Sequence, residues 1–271
     1  MSKKFKVSER EFKSIAAMAR YVQGAQSLVQ YPASTEHDQG PDWTLGWSFE
    51  DSVACALAGG RWEQGASKLK AAHVHTNKAL KEACIPSQDY DVTGHTLDVG
   101  EYLVGNPEHW LAAGDDDTGA LPIISVGVST SRVHYIDGNH VVNRGAAILS
   151  CVDNLEAQGY RVELWAVHAV KSHGQATNYR TLIKSAEQPW SPSAAAFGMC
   201  HPAFSRRCMF RVMEAQEGVG KMGGGYGAGW DGAEVSESYD VWVPSMKNES
   251  AHRSPSEALK SVMSNFNDRE G

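Results

Sequence analysis

Apolar and polar positions alternate with different periods along this chain, and the clearest pattern lies between Leu121 and Val170. Ile123 to Val128 is an apolar run rich in β-branched residues, which predicts a strand buried on both faces. Asn143 stands where a helix N-cap would. Ala147, Ile148, Cys151, Val152 and Leu155 follow at three- and four-residue spacing, and Gly159 supplies a residue that can end the helix in the left-handed region. From Arg161 to Val170 the pattern changes to period two, with Val162, Leu164 and Ala166 set against Glu163 and Trp165. Strand, helix and strand in this order predict a right-handed crossover between parallel strands, and so an α/β fold.

The N-terminal part reads as mainly helical. Ser8 to Glu11 has the form of a capping box, with Phe12, Ile15, Ala16, Ala19 and Val22 as the apolar stripe behind it. Pro32 to Pro41 is a polar loop. Ser48 to Asp51 is a second capping signature, opening a short helix that ends at Gly59 and Gly60. Trp62 to Cys84 predicts a longer, more polar helix stopped by Pro86, and Val99 to Val104 a short one. Small polar residues and glycines around Gly114 to Leu121 mark a boundary, giving a helical region 1–118 and an α/β domain 119–271.

Beyond the crossover, Asn178 to Glu187 predicts a strand. The turn Ser172 to Gly174 before it is so short that the pairing must be antiparallel. Ser191 to Ser193 opens a helical region that Pro202 interrupts. A glycine-rich loop spans 218–229, a short strand Tyr239 to Met246, and a last helix Ser254 to Phe266 with Pro255 in its first turn.

Composition narrows the class. The chain has 271 residues, 42% hydrophobic and 21% charged, with a formal net charge of −7, so it is not a polyanion binder as a whole. Five scattered cysteines read as reduced thiols. No stretch approaches the ~18 apolar residues of a membrane span. The charged start lacks an apolar signal core, so the expectation is a cytoplasmic protein without membrane contact.

Most candidate chemistry dissolves on inspection. In the glycine loop, Gly220-Lys221 is followed by Met222 rather than Ser or Thr, which fails the phosphate-loop pattern and leaves a flexible surface loop. His73 and His75 lie two apart, on different faces of a helix. Cys200, His201 and Cys208 lack the close Cys-x-x-Cys pairing of structural zinc sites, and Asp115 to Asp117 lack the alternate spacing of a calcium loop. No nucleophile elbow or paired-carboxylate spacing stands out, so no catalytic residue is assigned. Arg207 and Arg211, at i, i+4 on one helix with Lys221 beyond, are anion-binding candidates. They can equally pair with Glu214 and Glu217.

The element order (strand ending in small hydroxyl residues, helix, strand, antiparallel strand, helix, strand, helix) is similar to the von Willebrand factor A fold over roughly half the chain. That resemblance implies a Rossmann-like, mostly parallel sheet with flanking helices and a cation site at the sheet's C-terminal edge. Its Asp-x-Ser-x-Ser motif corresponds here to Gly127-Val-Ser129-Thr-Ser131, and its later threonine to Thr177. With the aspartate replaced by glycine, the implied metal site is degenerate. Neutral hydroxyls do not offset the dehydration of Mg²⁺, so binding is weak or absent and no other cofactor is expected. In wording, Trp47 to Asp51, Ala58 to Gly65, Tyr90 to Gly94 with Asp98 to Gly100, and Asn143 to Ala146 resemble bacteriophage-encoded proteins. Together these imply a non-enzymatic, phage-encoded factor that binds a protein partner through the loops at the C-terminal strand ends. The competing reading is an accessory factor or enzyme of phage nucleic-acid or phosphate metabolism.

Overall fold

The computed structural model describes residues 6–35, 41–63, 65, 90–91, 96–97, 110–111, 123–172, 174–189, 192–217, 226 and 228–267. Its main sheet holds β1 (Lys6–Phe12), β5 (Ile123–Ser129), β6 (Arg161–Ser172), β7 (Gln175–Lys184) and β9 (Val241–Val243) in the order β1-β7-β6-β5-β9. The two-residue β8 (Ala228–Gly229) joins β6 beyond the end of β5. Pairs β1–β7, β5–β6 and β5–β9 are parallel, whereas β6–β7 and β6–β8 are antiparallel. Three further two-residue strands, β2 (Tyr90–Asp91), β3 (Thr96–Leu97) and β4 (Trp110–Leu111), form a separate antiparallel sheet.

The described helices are α1 (Ile15–Gly24), α2 (Pro41–Thr44), α3 (Phe49–Leu57), α4 (Gly138–Ala157), α5 (Pro192–Cys200), α6 (Phe210–Glu214), α7 (Ala233–Ser236) and α8 (Pro255–Asn267). A π-helical segment, Phe204–Met209, leads into α6. Among the described residues no helix is long and apolar enough to cross a membrane.

The predicted crossover is present: α4 joins β5 to a parallel β6, and Gly159 (φ 92°) lies just past the helix end. Its start differs from expectation. Asp137 is the N-cap, its carboxylate accepting from Asn139 N at 2.6 Å. Asn143 is inside the helix and donates to the carbonyls of His252 and Arg253. The apolar stripe in fact begins earlier, at Val141 and Val142, both buried.

The N-terminal reading needs a larger correction. Ser8 to Glu11 do not cap a helix but lie within β1, whose seven residues pair with β7. A sheet edge offers this segment more hydrogen bonds than one cap does, and tertiary pairing overrides the local signal. The cap of α1 is Ser14, accepting from Ala17 N at 3.0 Å. The capping box of α3 at Ser48 and Asp51 is complete, and Gly59 and Gly60 follow that helix at φ 84° and 78°. Most of the helix read over Trp62 to Cys84, that at Val99 to Val104, and His73, His75, Asp115 to Asp117 and Lys221 lie outside the described residues.

One large apolar cluster covers the first face of the sheet. It joins Phe12, Met18 and Val22, and Val53 and Ala56 of α3, to Val126, Val128, Leu164, Ala166, Ile148, Phe197 and Val262. The opposite face carries a smaller cluster around Trp165, Val167, Ala169, Ala176, Trp230 and Val235. The sheet therefore takes an edge strand, and its core several side chains, from the N-terminal region.

Candidate functional site

Segment 130–137, running from the end of β5 to α4, is the best-braced loop among the described residues. Thr130 N donates to Val167 O at 2.7 Å and Ser131 Oγ to Ala169 O at 2.8 Å, which prolongs β5 along β6. Val133 N donates to Met246 O and Met246 N to Ser131 O, both at 3.1 Å, so the loops after β5 and β9 are laced together. This is the C-terminal edge of the parallel strands, where open α/β sheets place their sites.

Three arginines hold this loop and the strand ends beside it. Arg144, on α4, donates to Ser129 O at 2.9 Å and to the carbonyls of Val243 and Pro244 at 3.3 and 2.6 Å, covering the ends of β5 and β9. Arg206 donates to His134 O and Ile136 O, each at 3.0 Å, and to Trp43 O at 2.8 Å, with its guanidinium 3.7 Å from the Trp43 ring centre. Arg132, within the loop, donates to Pro202 O at 2.7 Å and to Thr130 O at 3.4 Å. Burial pushes Arg206 down to about 9 and Arg144 down to about 10, opposed by Asp137 and Asp231 respectively. Arg132 is depressed well below the usual guanidinium range by burial first, then by Arg206 and Arg144.

The serine pair sits as the motif predicts, at the end of β5, but the three hydroxyls do not converge. Ser129 pairs with Val167 and faces the Trp165 cluster. Thr177 pairs with Val170, on the face of the larger cluster. Two strand spacings and three residues of rise separate them by about 14 Å, whereas Mg²⁺ needs its oxygens at roughly 2 Å. Ser129 Oγ and Thr177 Oγ1 are buried without hydrogen-bond partners among the described residues, while Ser131 Oγ is spent on Ala169 O.

A carboxylate does stand near the serines, from an unexpected position. Asp231 accepts from Ser245 N and Ser245 Oγ at 2.8 and 2.6 Å and from Lys247 Nζ at 2.9 Å. Burial raises its pKa, but these bonds outweigh that and hold it below the usual carboxylate range. Its counter-charges are thus the chain's own. Among the described residues no group of three or more His, Cys, Asp or Glu is arranged to hold a metal.

The two described anion-binding candidates are committed to the protein's interior. Arg207 is fully buried and donates to Trp47 O, Ala33 O and Ser34 O. Arg211 lies over the Phe49 ring and bonds Ala25 O, Ser34 Oγ and Glu214 Oε2. Arg206 and Arg207, successive on the π-helical turn, point apart as neighbours on any helix do, and so reach different carbonyls. His168, buried between Thr130 Oγ1 and Met213 Sδ, is driven by burial and then Arg132 down to about 3. Burial likewise raises the thiols of Cys200 and Cys208. The His168 imidazole and these two thiols stay neutral near pH 7.

Solvent meets His134 and Tyr135 at the tip of the braced loop, with Lys247 and Asn248 beside them. Tyr135 is 56% exposed, and its hydroxyl donates to Lys247 O at 3.0 Å. Sequence reasoning missed Arg132, Arg144, Arg206, Asp231 and Tyr135. Arg144 alone left a signal, a charge inside the apolar phase of α4.

Residues 2–267 match the family model described as "Domain of unknown function (DUF7192)". No curated protein and no solved structure matches the chain.

Proposed function

The chain belongs to the DUF7192 family, and for this member we propose a non-enzymatic recognition module that binds a protein partner at the C-terminal edge of its sheet. The observation that carries the reading is Tyr135. It is a large aromatic ring, 56% exposed, on a loop that backbone pairing, Arg206 and Arg132 hold in one shape. A rigid, amphipathic side chain presented this way loses little conformational entropy on binding, which suits a contact residue.

The strand order β7-β6-β5-β9, with β7 antiparallel, supports a von Willebrand A-like arrangement of the sheet. In this chain guanidinium groups cover the strand-end carbonyls. They do not dissociate, so the loop keeps its form independently of any divalent ion. The phage-like wording of the sequence is what supports a partner in the cytoplasm of an infected cell.

The test is affinity capture from infected cells with the native chain and three variants. Tyr135→Ala and Lys247→Glu alter the proposed edge. Ile123→Ser, at the opposite end of β5 and 46% exposed, is the control. A partner retained by Ile123→Ser and lost by both edge variants is the expected result. Equal retention by all three overturns the proposal.

A further inference from the structure

We infer that Arg132 is the anchor for an acidic side chain of the protein partner, an aspartate or glutamate on a peptide segment laid across the loops after β5 and β9. This rests on the recognition reading above and adds the chemistry of what is recognised. Arg144 and Arg206 each spend their guanidinium on three carbonyl oxygens of the protein. Arg132 has two such bonds, one of them long at 3.4 Å, and its Nε is buried with no hydrogen-bond partner among the described residues.

Its electrostatic surroundings have the same sign. Arg206 and Arg144 both act on Arg132 as like charges. The acids nearby are engaged elsewhere: Asp231 with Ser245 and Lys247, and Asp137 with the first turn of α4. A buried donor without an acceptor, on a cation without a counter-charge among the described residues, is destabilising until an anion supplies both. Part of the Arg132 surface reaches solvent. Beside it stand Tyr135 and Lys247, the latter's side chain 65% exposed.

A carboxylate peptide fits these features better than a nucleic acid does. One guanidinium with N–H donors to spare matches a single carboxylate rather than a run of phosphates. Arg207 and Arg211, which could have extended a basic track, are turned inward.

Fluorescence anisotropy at low salt with labelled hexaglutamate tests this, beside hexaglutamine and a hexathymidine oligonucleotide. The native protein binds hexaglutamate in preference to both others. Arg132→Met, with an unchanged circular dichroism spectrum, weakens that binding about tenfold or more, while Ile123→Ser leaves it intact. Should Arg132→Met fail to fold, Arg132→Lys decides: it keeps the charge, lacks the Nε–H fork, and weakens binding by a comparable factor. No hexaglutamate binding by the native protein, unchanged binding in a folded Arg132 variant, or tighter binding of the oligonucleotide each overturns the inference. A captured partner that depends on Tyr135 but not on Arg132 removes this inference and leaves the recognition reading standing.

Discussion

At Gly127 an added Cβ would lie 2.5 Å from Cγ of Tyr239. Glycine therefore stands in the motif position because an aromatic ring packs against the backbone there. Restoring the aspartate is then no repair. Gly127→Asp should lower the melting temperature and leave Mg²⁺ binding weak, as calorimetric titration of metal-free protein will show; tight binding by a stable Gly127→Asp protein would contradict this. His168 gives a second expectation. Its folded pKa of about 3 lies below the ordinary value of 6.5, so the unfolded chain takes up the proton first as pH falls. The stability it contributes is complete above pH 6.5 and is lost as pH drops from there toward 3. The slope is about 1.4 kcal/mol per pH unit for one proton. His168→Gln should flatten the stability profile between pH 6 and 4 by up to that amount, measured by denaturant melts, and an unaltered slope would count against it. The sequence placed Ser129 and Ser131 at a strand end. It could not place Thr177, because a strand starting at Gln175 fixes which face that residue takes, and a shift of one residue reverses it.

Among elements, the helix pair α4–α5 has the most specific requirement. A Cβ on Gly145 would meet Met199 O at 2.6 Å and Cys200 Cα at 2.7 Å, whereas one on Gly24, at the end of α1, would meet nothing within 4 Å. The close approach is to α5 rather than to β5. Gly145→Ala should cost about 1–3 kcal/mol through overpacking. Gly24→Ala should be neutral or stabilising by up to about 1 kcal/mol, since it only restricts the unfolded chain. Matching unfolding midpoints for the two variants would refute the contrast. The same scale shows what local pattern can carry. Ser48 with Asp51 and Ser8 with Glu11 look alike as capping boxes, yet one caps a helix and the other runs along a sheet edge. The difference lies in β7, more than 160 positions away. The crossover, the β6–β7 hairpin and the cap of α3 were readable because their partners are near in sequence. β1 and the π-helical turn were not.

For the whole molecule, the question is whether the division near residue 119 separates two folding units. The described contacts cross it everywhere. β1 supplies an edge of the sheet, and Met18, Val22, Val53 and Ala56 are buried in the same apolar cluster as Val126, Leu164 and Val262. The polar interior crosses it too. Arg206 and Arg207, both fully buried, depend on acceptors from residues 33–47 as well as from the loop after β5. Removing the N-terminal part takes from both guanidinium groups their acceptors in residues 33–47, takes the β1 edge from the sheet, and opens the apolar face that α1 and α3 cover. Typical domain stabilities are about 5–15 kcal/mol, so loss of this shared core is enough to unfold the remainder. A fragment of residues 119–271 should therefore show no cooperative unfolding transition and bind a hydrophobic dye. The full chain should unfold in one step, with tryptophan fluorescence and circular dichroism reporting the same midpoint. A cooperative transition in the isolated fragment would establish two domains and would confine the arginine bridges to a docking role. Mixing the separately produced fragments 1–118 and 119–271 sharpens the test. Recovery of the native spectrum only on mixing would place the driving force in the shared core.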